Sequence, residues 1–261
     1  MRFFRWWAVG LILALALVAC GGAKATDVPL PDAQALLTKA ATEVKNAKSI
    51  KIKLELSGAP SYVDPPRNLV AFVSANGVYV APDRLSATIT AKIGSIPGQV
   101  DVVAIGNDQW MKNPLLTAGH WSKAVFSPGF NAGKLVSSEE GINSAISSLK
   151  EPKMVGRETV FGTQMYHVAG VSDGANMAAL TVGLIRGKVV NVDIYVAIDT
   201  GRVDRVVMVQ PDTVTEKEKT PTTWTLELYD YDAEAKVDAP QVENATEQAT
   251  DEATIEATSA Q

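Results

Sequence analysis

From Ile50 onward the apolar positions recur every second residue. Ile50, Ile52, Leu54 and Leu56 alternate with Lys51, Lys53, Glu55 and Ser57. The same period runs through Leu85, Ala87, Ile89, Ala91 and Ile93, and again through Trp224, Leu226 and Leu228. Successive side chains of a strand point to opposite faces, so each stretch has one dry face and one wet face. That pattern belongs to antiparallel sheets. Just before it the period is different. Ala33, Leu36, Leu37, Ala40, Ala41, Val44 and Ala47 fall at helical spacing, and Asp32 stands where an N-cap is needed.

Further strand-like stretches cover residues 69–75, 77–81, 99–105, 108–112, 153–160, 164–171, 189–198 and 202–210. Asn76-Gly77 and Thr200-Gly201 supply hairpin turns, and Gly106-Asn107 and Gly162-Thr163 give weaker turn signals. Ser137 with Glu140 forms a capping box ahead of Ile142, Ala145, Ile146 and Leu149. The stretch from Gly174 to Ile185, GANMAALTVGLI, is apolar on almost every side. It is therefore buried, or it covers something apolar. These elements predict an α+β domain, one antiparallel sheet of roughly eight to eleven strands with three or so helices. A sheet of that size must curl. Its helices then either fill the hollow as a solid core or roof a cavity, and periodicity does not choose between the two.

The amino terminus has a pattern of its own. Arg2 and Arg5 precede Ala8 to Ala19, an apolar run broken only by Gly10, and small residues lead to Cys20. A basic start, a short apolar run and a small-residue cleavage site make a secretory signal. A membrane-spanning helix needs about 20 apolar residues, and Arg5, Gly21, Gly22 and Lys24 leave the stretch marginal. Leu17-Val18-Ala19-Cys20 is similar to a bacterial lipobox. The similarity implies a diacylglyceryl group on the Cys20 sulfur, with or without an N-acyl chain, and cleavage before Cys20. Two acyl chains anchor stably where one does not.

Composition narrows the partners. Cys20 is the single cysteine, so there is no disulfide framework and no cysteine zinc site. No other cofactor and no metal is expected. The formal net charge is −5, and loss of Arg2 and Arg5 with the signal makes it about −7. Charge does not draw such a chain to nucleic acid or to an anionic bilayer, so the lipid must supply the attachment. The chain divides into a signal (1–19), an acylated cysteine and tether (20–30), one folded domain (31–237) and an acidic tail (238–261). The tail is rich in Ala, Thr and Glu and lacks an apolar stripe, which predicts disorder.

With anchor, opening helix and curled sheet in place, the chain resembles the LppX–LprAFG family of envelope lipoproteins. The residues that carry this are DAQALLTKAATEVKNAKSIKIKLEL, ANGVYVAPDRLSATIT, DQWMKNPL, GANMAALTVGLI and VDIYVAIDTGRVDRVVMV. LolA and LolB share the general architecture. The resemblance implies a half-barrel with helices against its concave face, enclosing an apolar cavity for acylated lipids or glycolipids. It makes Ile52, Leu54 and Leu56 candidates for the sheet side of that cavity. Met177, Leu180, Leu184 and Ile185 become candidates for its wall or roof. It further implies a monomer outside the cytoplasm, held at the cell membrane or envelope.

Catalytic motifs are weak in this chain. Gly170-Val171-Ser172-Asp173-Gly174 matches the nucleophile-elbow pattern, but that architecture places its histidine after the serine. His120 and His167 both precede Ser172. Ser, Asp and Gly are ordinary turn residues. Two histidines without cysteines make a poor zinc site, and both are read as structural or surface residues. The carboxylate pairs Asp230/Asp232 and Glu139/Glu140 flank element ends, where solvated acids are ordinary. Trp224 alternates as a core residue, and Trp110 and Trp121 bracket a loop, Asn113 to Gly119, that is a candidate for the cavity mouth. No catalytic residue is expected. The leading function is lipid binding and carriage; the alternative is a structural or interaction lipoprotein with a packed core.

Overall fold

The computed structural model describes residues 29–125, 129–137, 139–181 and 183–242. The expected signal, Cys20, most of the tether, and the tail from residue 243 lie outside the described residues.

Helix α1 (Ala33–Asn46) starts as the sequence predicts, with the Asp32 carboxylate accepting the Ala35 amide at 2.8 Å. It leads into β1 (Ser49–Ser57), β2 (Val70–Val80), β3 (Arg84–Ile93), β4 (Ile96–Ile105), β5 (Asp108–Lys112) and the short β6 (Ser122–Lys123). Helix α2 (Gly141–Ser147) follows. Then come β7 (Lys150–Val160), β8 (Thr163–Asp173), helix α3 (Gly174–Ala178), β9 (Val189–Ala197), β10 (Val203–Gln210) and β11 (Thr222–Tyr229). All eleven strands form one antiparallel sheet in the order β6-β5-β4-β3-β2-β1-β11-β10-β9-β8-β7.

The sheet is thus two meanders joined at a seam where β1 pairs with β11, Leu54 opposite Leu226 and Leu56 opposite Trp224. Its outermost strands, β6 and β7, do not pair with each other, so the sheet is open. The connection between them must cross one face of the sheet. It carries α2 over that inner face, where α1, α2 and α3 pack on one another and on β7 to β10.

Two local expectations need correction, and the 174–185 stretch takes a form that its composition does not specify. Asn76-Gly77 is not a turn. β2 runs straight through it, with Gly77 opposite Ala87 on one side and Ile52 on the other. A Cβ at Gly77 would sit 2.7 Å from the Ser86 carbonyl oxygen and 2.8 Å from the Ala87 Cβ, so the glycine serves close strand approach. The Ser137 capping box is half formed. Ser137 Oγ accepts the Glu140 amide at 2.9 Å, but the Glu140 carboxylate pairs with Lys134 instead of returning to Ser137. The 174–185 stretch is not one helix. Helix α3 tightens into a 3-10 turn at Ala179–Thr181, the Thr181 hydroxyl accepts the Ile185 amide, and Gly183 takes a φ of 80° that ends any helix.

Candidate functional site

Burial divides the inner face in two. On the second meander Val190, Val192, Ile194, Val196, Val206, Met208, Trp224, Leu226 and Leu228 are at most 2% exposed. The Trp224 indole donates to Gln210 Oε1 at 3.0 Å and its ring meets Phe72, which confirms it as a core anchor. Helices α1 and α2 close this half through Leu37, Ala40, Val44, Ile142 and Ile146. This half of the sheet is a packed core.

The first meander differs. Its inner face alternates small residues at Ala75, Gly77, Ala87, Ala91 and Gly98 with larger ones, of which Phe72 and Tyr79 are buried and Ile52, Leu56 and Ile89 half-buried. Ile52, Leu56, Ala75 and Ile89 pack against the core while staying half-buried. Cross-strand partners share a face, so β3 and β4 carry a column of pairs: Leu85/Ala104, Ala87/Val102, Ile89/Val100, Ala91/Gly98 and Ile93/Ile96. Cover thins steadily along it. Ala104 is 0% and Val102 2% exposed, Ile89 and Val100 are half-buried, and Ile93 and Ile96 reach 59% and 72%. A Cβ at Gly98 would meet nothing within 4 Å. The apolar alternation therefore continues past the point where anything covers it. An apolar track is left along one half of the sheet, with Leu36, Leu135 and Leu184 half-buried against the same core.

The candidates named from the sequence separate along this division. Leu54, Met177, Leu180 and Ile185 are core residues, 6%, 1%, 7% and 3% exposed. Ile52, Leu56 and Leu184 are half-buried. Leu184 also lines a cleft of about 300 Å³ with Ser61, Tyr62 and Gln210. Ala75, Gly77, Ile89, Ala91 and Gly98 were not singled out as site residues. Their signal lay in the alternation of 85–93, in which the dry face carries alanines where a packed core would place larger side chains.

The polar candidates occupy other places. Ser172 lies within β8, 1% exposed, across from Val190 on the inner face. His167 is clamped between Glu158 (2.6 Å) and Asp193 (2.7 Å) and stacks on Tyr195, a structural bridge across β7, β8 and β9. A cleft of about 520 Å³ is lined by Lys53, Phe161, Arg202, Asp204, Arg205 and Tyr231 among others. Burial, and after it the charge of Asp199, lifts the Asp204 carboxyl to about 6 against the pull of Arg202. Arg205 Nε is buried there without a hydrogen-bond partner, with its guanidinium over the Phe161 ring. This cleft is charged, unlike the apolar track. Val103, Trp110 and Val237 form a second small cluster, with Trp121 packed against it. No group of acids, histidines or cysteines among the described residues could hold a metal ion.

The comparisons agree with this architecture. The family model for the LppX_LprAFG lipoproteins matches residues 32–237. LprF from Mycobacterium bovis superimposes with a TM-score of 0.59 at 14% identity, covering 81% of this chain and 98% of that one. The Mycobacterium tuberculosis lipoprotein LppX does so with a TM-score of 0.53 at 17% identity, covering 78% and 97%. No curated protein sequence matches the chain. The solved structures share the open antiparallel sheet, the family model spans the whole folded region, and the chain belongs to the LppX_LprAFG lipoprotein family.

Proposed function

We propose that this protein is a membrane-anchored lipoprotein that binds acylated lipid, glycolipid included, along the inner face of its first meander, and carries or presents it in the cell envelope. The observation that carries this reading is the apolar column of β3 and β4, which loses its cover from the Ile89/Val100 pair to the Ile93/Ile96 pair. Each methylene buried there contributes about 0.8 kcal/mol. A track lined only by apolar groups binds chains with little regard to headgroup, so the ligand class is set by its acyl part. Exported and held through Cys20, the domain would meet its lipid at the membrane surface. Binding of this kind calls on burial alone, and no catalytic role is assigned to any residue.

Titration with a fluorescent fatty-acyl probe, followed by displacement with diacyl lipids, tests the proposal. Saturable binding reversed by diacyl lipid supports it. A probe that stays in water with the folded protein would leave the packed-core interaction lipoprotein as the better account.

A further inference from the structure

The exposed end of the apolar column does not stand alone. Ile93 and Ile96 close the β3–β4 hairpin around Gly94-Ser95. Beside them lies the 113–119 loop, with Leu115 92% and Leu116 71% exposed. Lys112 pairs with Asp101, and Asn113 Nδ2 donates to the Gln99 carbonyl at 2.7 Å, so the loop sits at the same end of the sheet. Gln99 is three strand residues from Ile96, about 10 Å along the chain.

The two leucines are held outward by hydrogen bonds. Asn113 is 9% exposed, and its Oδ1 accepts the amides of both Leu115 and Leu116 at 2.9 Å. Its carbonyl accepts the Thr117 amide at 3.0 Å, and its own amide donates to Thr117 Oγ1 at 2.9 Å. These bonds satisfy the backbone of the turn while its apolar side chains stay in water. The segments Ile93–Val100 and Asn113–Gly119 contain no charged residue, and Lys92, beside the hairpin, is exposed.

We infer that this end of the sheet docks on a lipid bilayer, with the β3–β4 hairpin and the Leu115-Leu116 turn entering the headgroup–acyl boundary. The inference rests on reading the first-meander face as the lipid site, because docking there joins the apolar column to the bilayer's own acyl region. An uncharged tip of exposed aliphatic side chains, with Lys92 beside it and Lys112 paired to Asp101, suits the headgroup–acyl boundary of a membrane better than the polar rim of a protein interface. The sequence also places the bilayer close. Twelve residues separate Cys20 from the first helical residue, Ala33, a reach of up to about 40 Å.

The test uses the mature protein anchored on vesicles of phosphatidylcholine and phosphatidylglycerol. Its one natural thiol carries lipid, so a single introduced cysteine takes a polarity-sensitive dye. The dye is placed through Leu116→Cys and, for comparison, through Phe161→Cys, an 80% exposed position in the β7–β8 turn at the other end of the strands. Blue-shifted emission at 116, quenched by spin-labelled acyl chains, with water-like emission at 161, is the expected result. Equal emission at both positions overturns the inference. In a second measurement, Leu115→Ser with Leu116→Ser slows lipid transfer to vesicles tenfold or more and changes affinity for a soluble short-chain acyl probe less than threefold. Unchanged transfer counts against docking. Should the soluble probe fail to bind at all, the lipid-site reading falls, and the dye at 116 still decides the docking.

Discussion

Changing Ile89 to Asp should separate lipid binding from folding. Ile89 is half-buried on the inner face, midway along the β3–β4 column, opposite Ala75 and Val100. Full burial of such a side chain is worth about 1.5–3 kcal/mol, so a half-covered one contributes roughly 1 kcal/mol. The poor strand preference of Asp adds up to about 1 kcal/mol, which puts the stability loss near 2 kcal/mol. The carboxylate keeps its water while the track is empty. An acyl chain laid over it strips that water, at a cost of several kcal/mol per ion. A penalty of about 3 kcal/mol corresponds to a weakening of more than a hundredfold. Urea unfolding reads the first number and titration with a fluorescent acyl probe reads the second. Thr90→Asp is the internal control, since one residue along the strand the side chain points to the outer face. It should leave affinity within threefold and cost no more than about 1 kcal/mol of stability, the strand preference of Asp alone. Affinity that survives Ile89→Asp would place Ile89 off the track, and a stability loss above about 4 kcal/mol would make it an ordinary core residue.

Other expectations can be checked on the same protein. Gly77→Val drives a side chain into the Ser86 carbonyl and Ala87, and should cost about 2–3 kcal/mol in urea unfolding, whereas Gly98→Val, in open space, should cost nothing or stabilise slightly. Leu180→Ala should lose about 2–5 kcal/mol, since its side chain is in the core; a loss below 1 kcal/mol would show it to line open space. Asp204 has its folded-state carboxyl lifted from 3.8 to about 6, so the folded state favours the protonated form. The resulting destabilisation is absent below about pH 4, grows as the pH rises through 6, and is complete above it. Asp204→Asn should therefore gain about 1 kcal/mol at pH 7.5, after discounting for the half-exposed site, and clearly less at pH 4.5. Equal gains in thermal unfolding at the two pH values would contradict this.

Much of the fold was legible because local periodicity and burial agree. β1, β3 and β11 lie where the alternation places them, and Asp32 caps α1. Local rules misled where long-range pairing overrode them. Asn76-Gly77 carries the residues of a tight turn, yet register with Ala87 and Ile52 demands a flat glycine there. The pairing of β1 with β11, residues near opposite ends of the domain, leaves no local trace in the chain. Nor does the crossing from β6 to β7, which decides which half of the sheet the helices cover. For this reason the all-apolar 174–185 stretch says nothing locally about which half of the sheet it packs on. Met177, Leu180 and Ile185 went into the packed half, while the open half is marked by alanines and glycines whose small size reads locally as weak strand.

Recovery of bound lipid decides whether the β3–β4 column carries a ligand. Residues 21–261, exported without the acyl anchor from a lipoprotein-producing host, would be purified, extracted with organic solvent and analysed by mass spectrometry beside the intact complex. About one acylated lipid per protein is expected, lost in Ile89→Asp and retained in Thr90→Asp. A lipid-free protein from the same host, together with an experimental structure in which side chains fill the β3–β4 column, would contradict it.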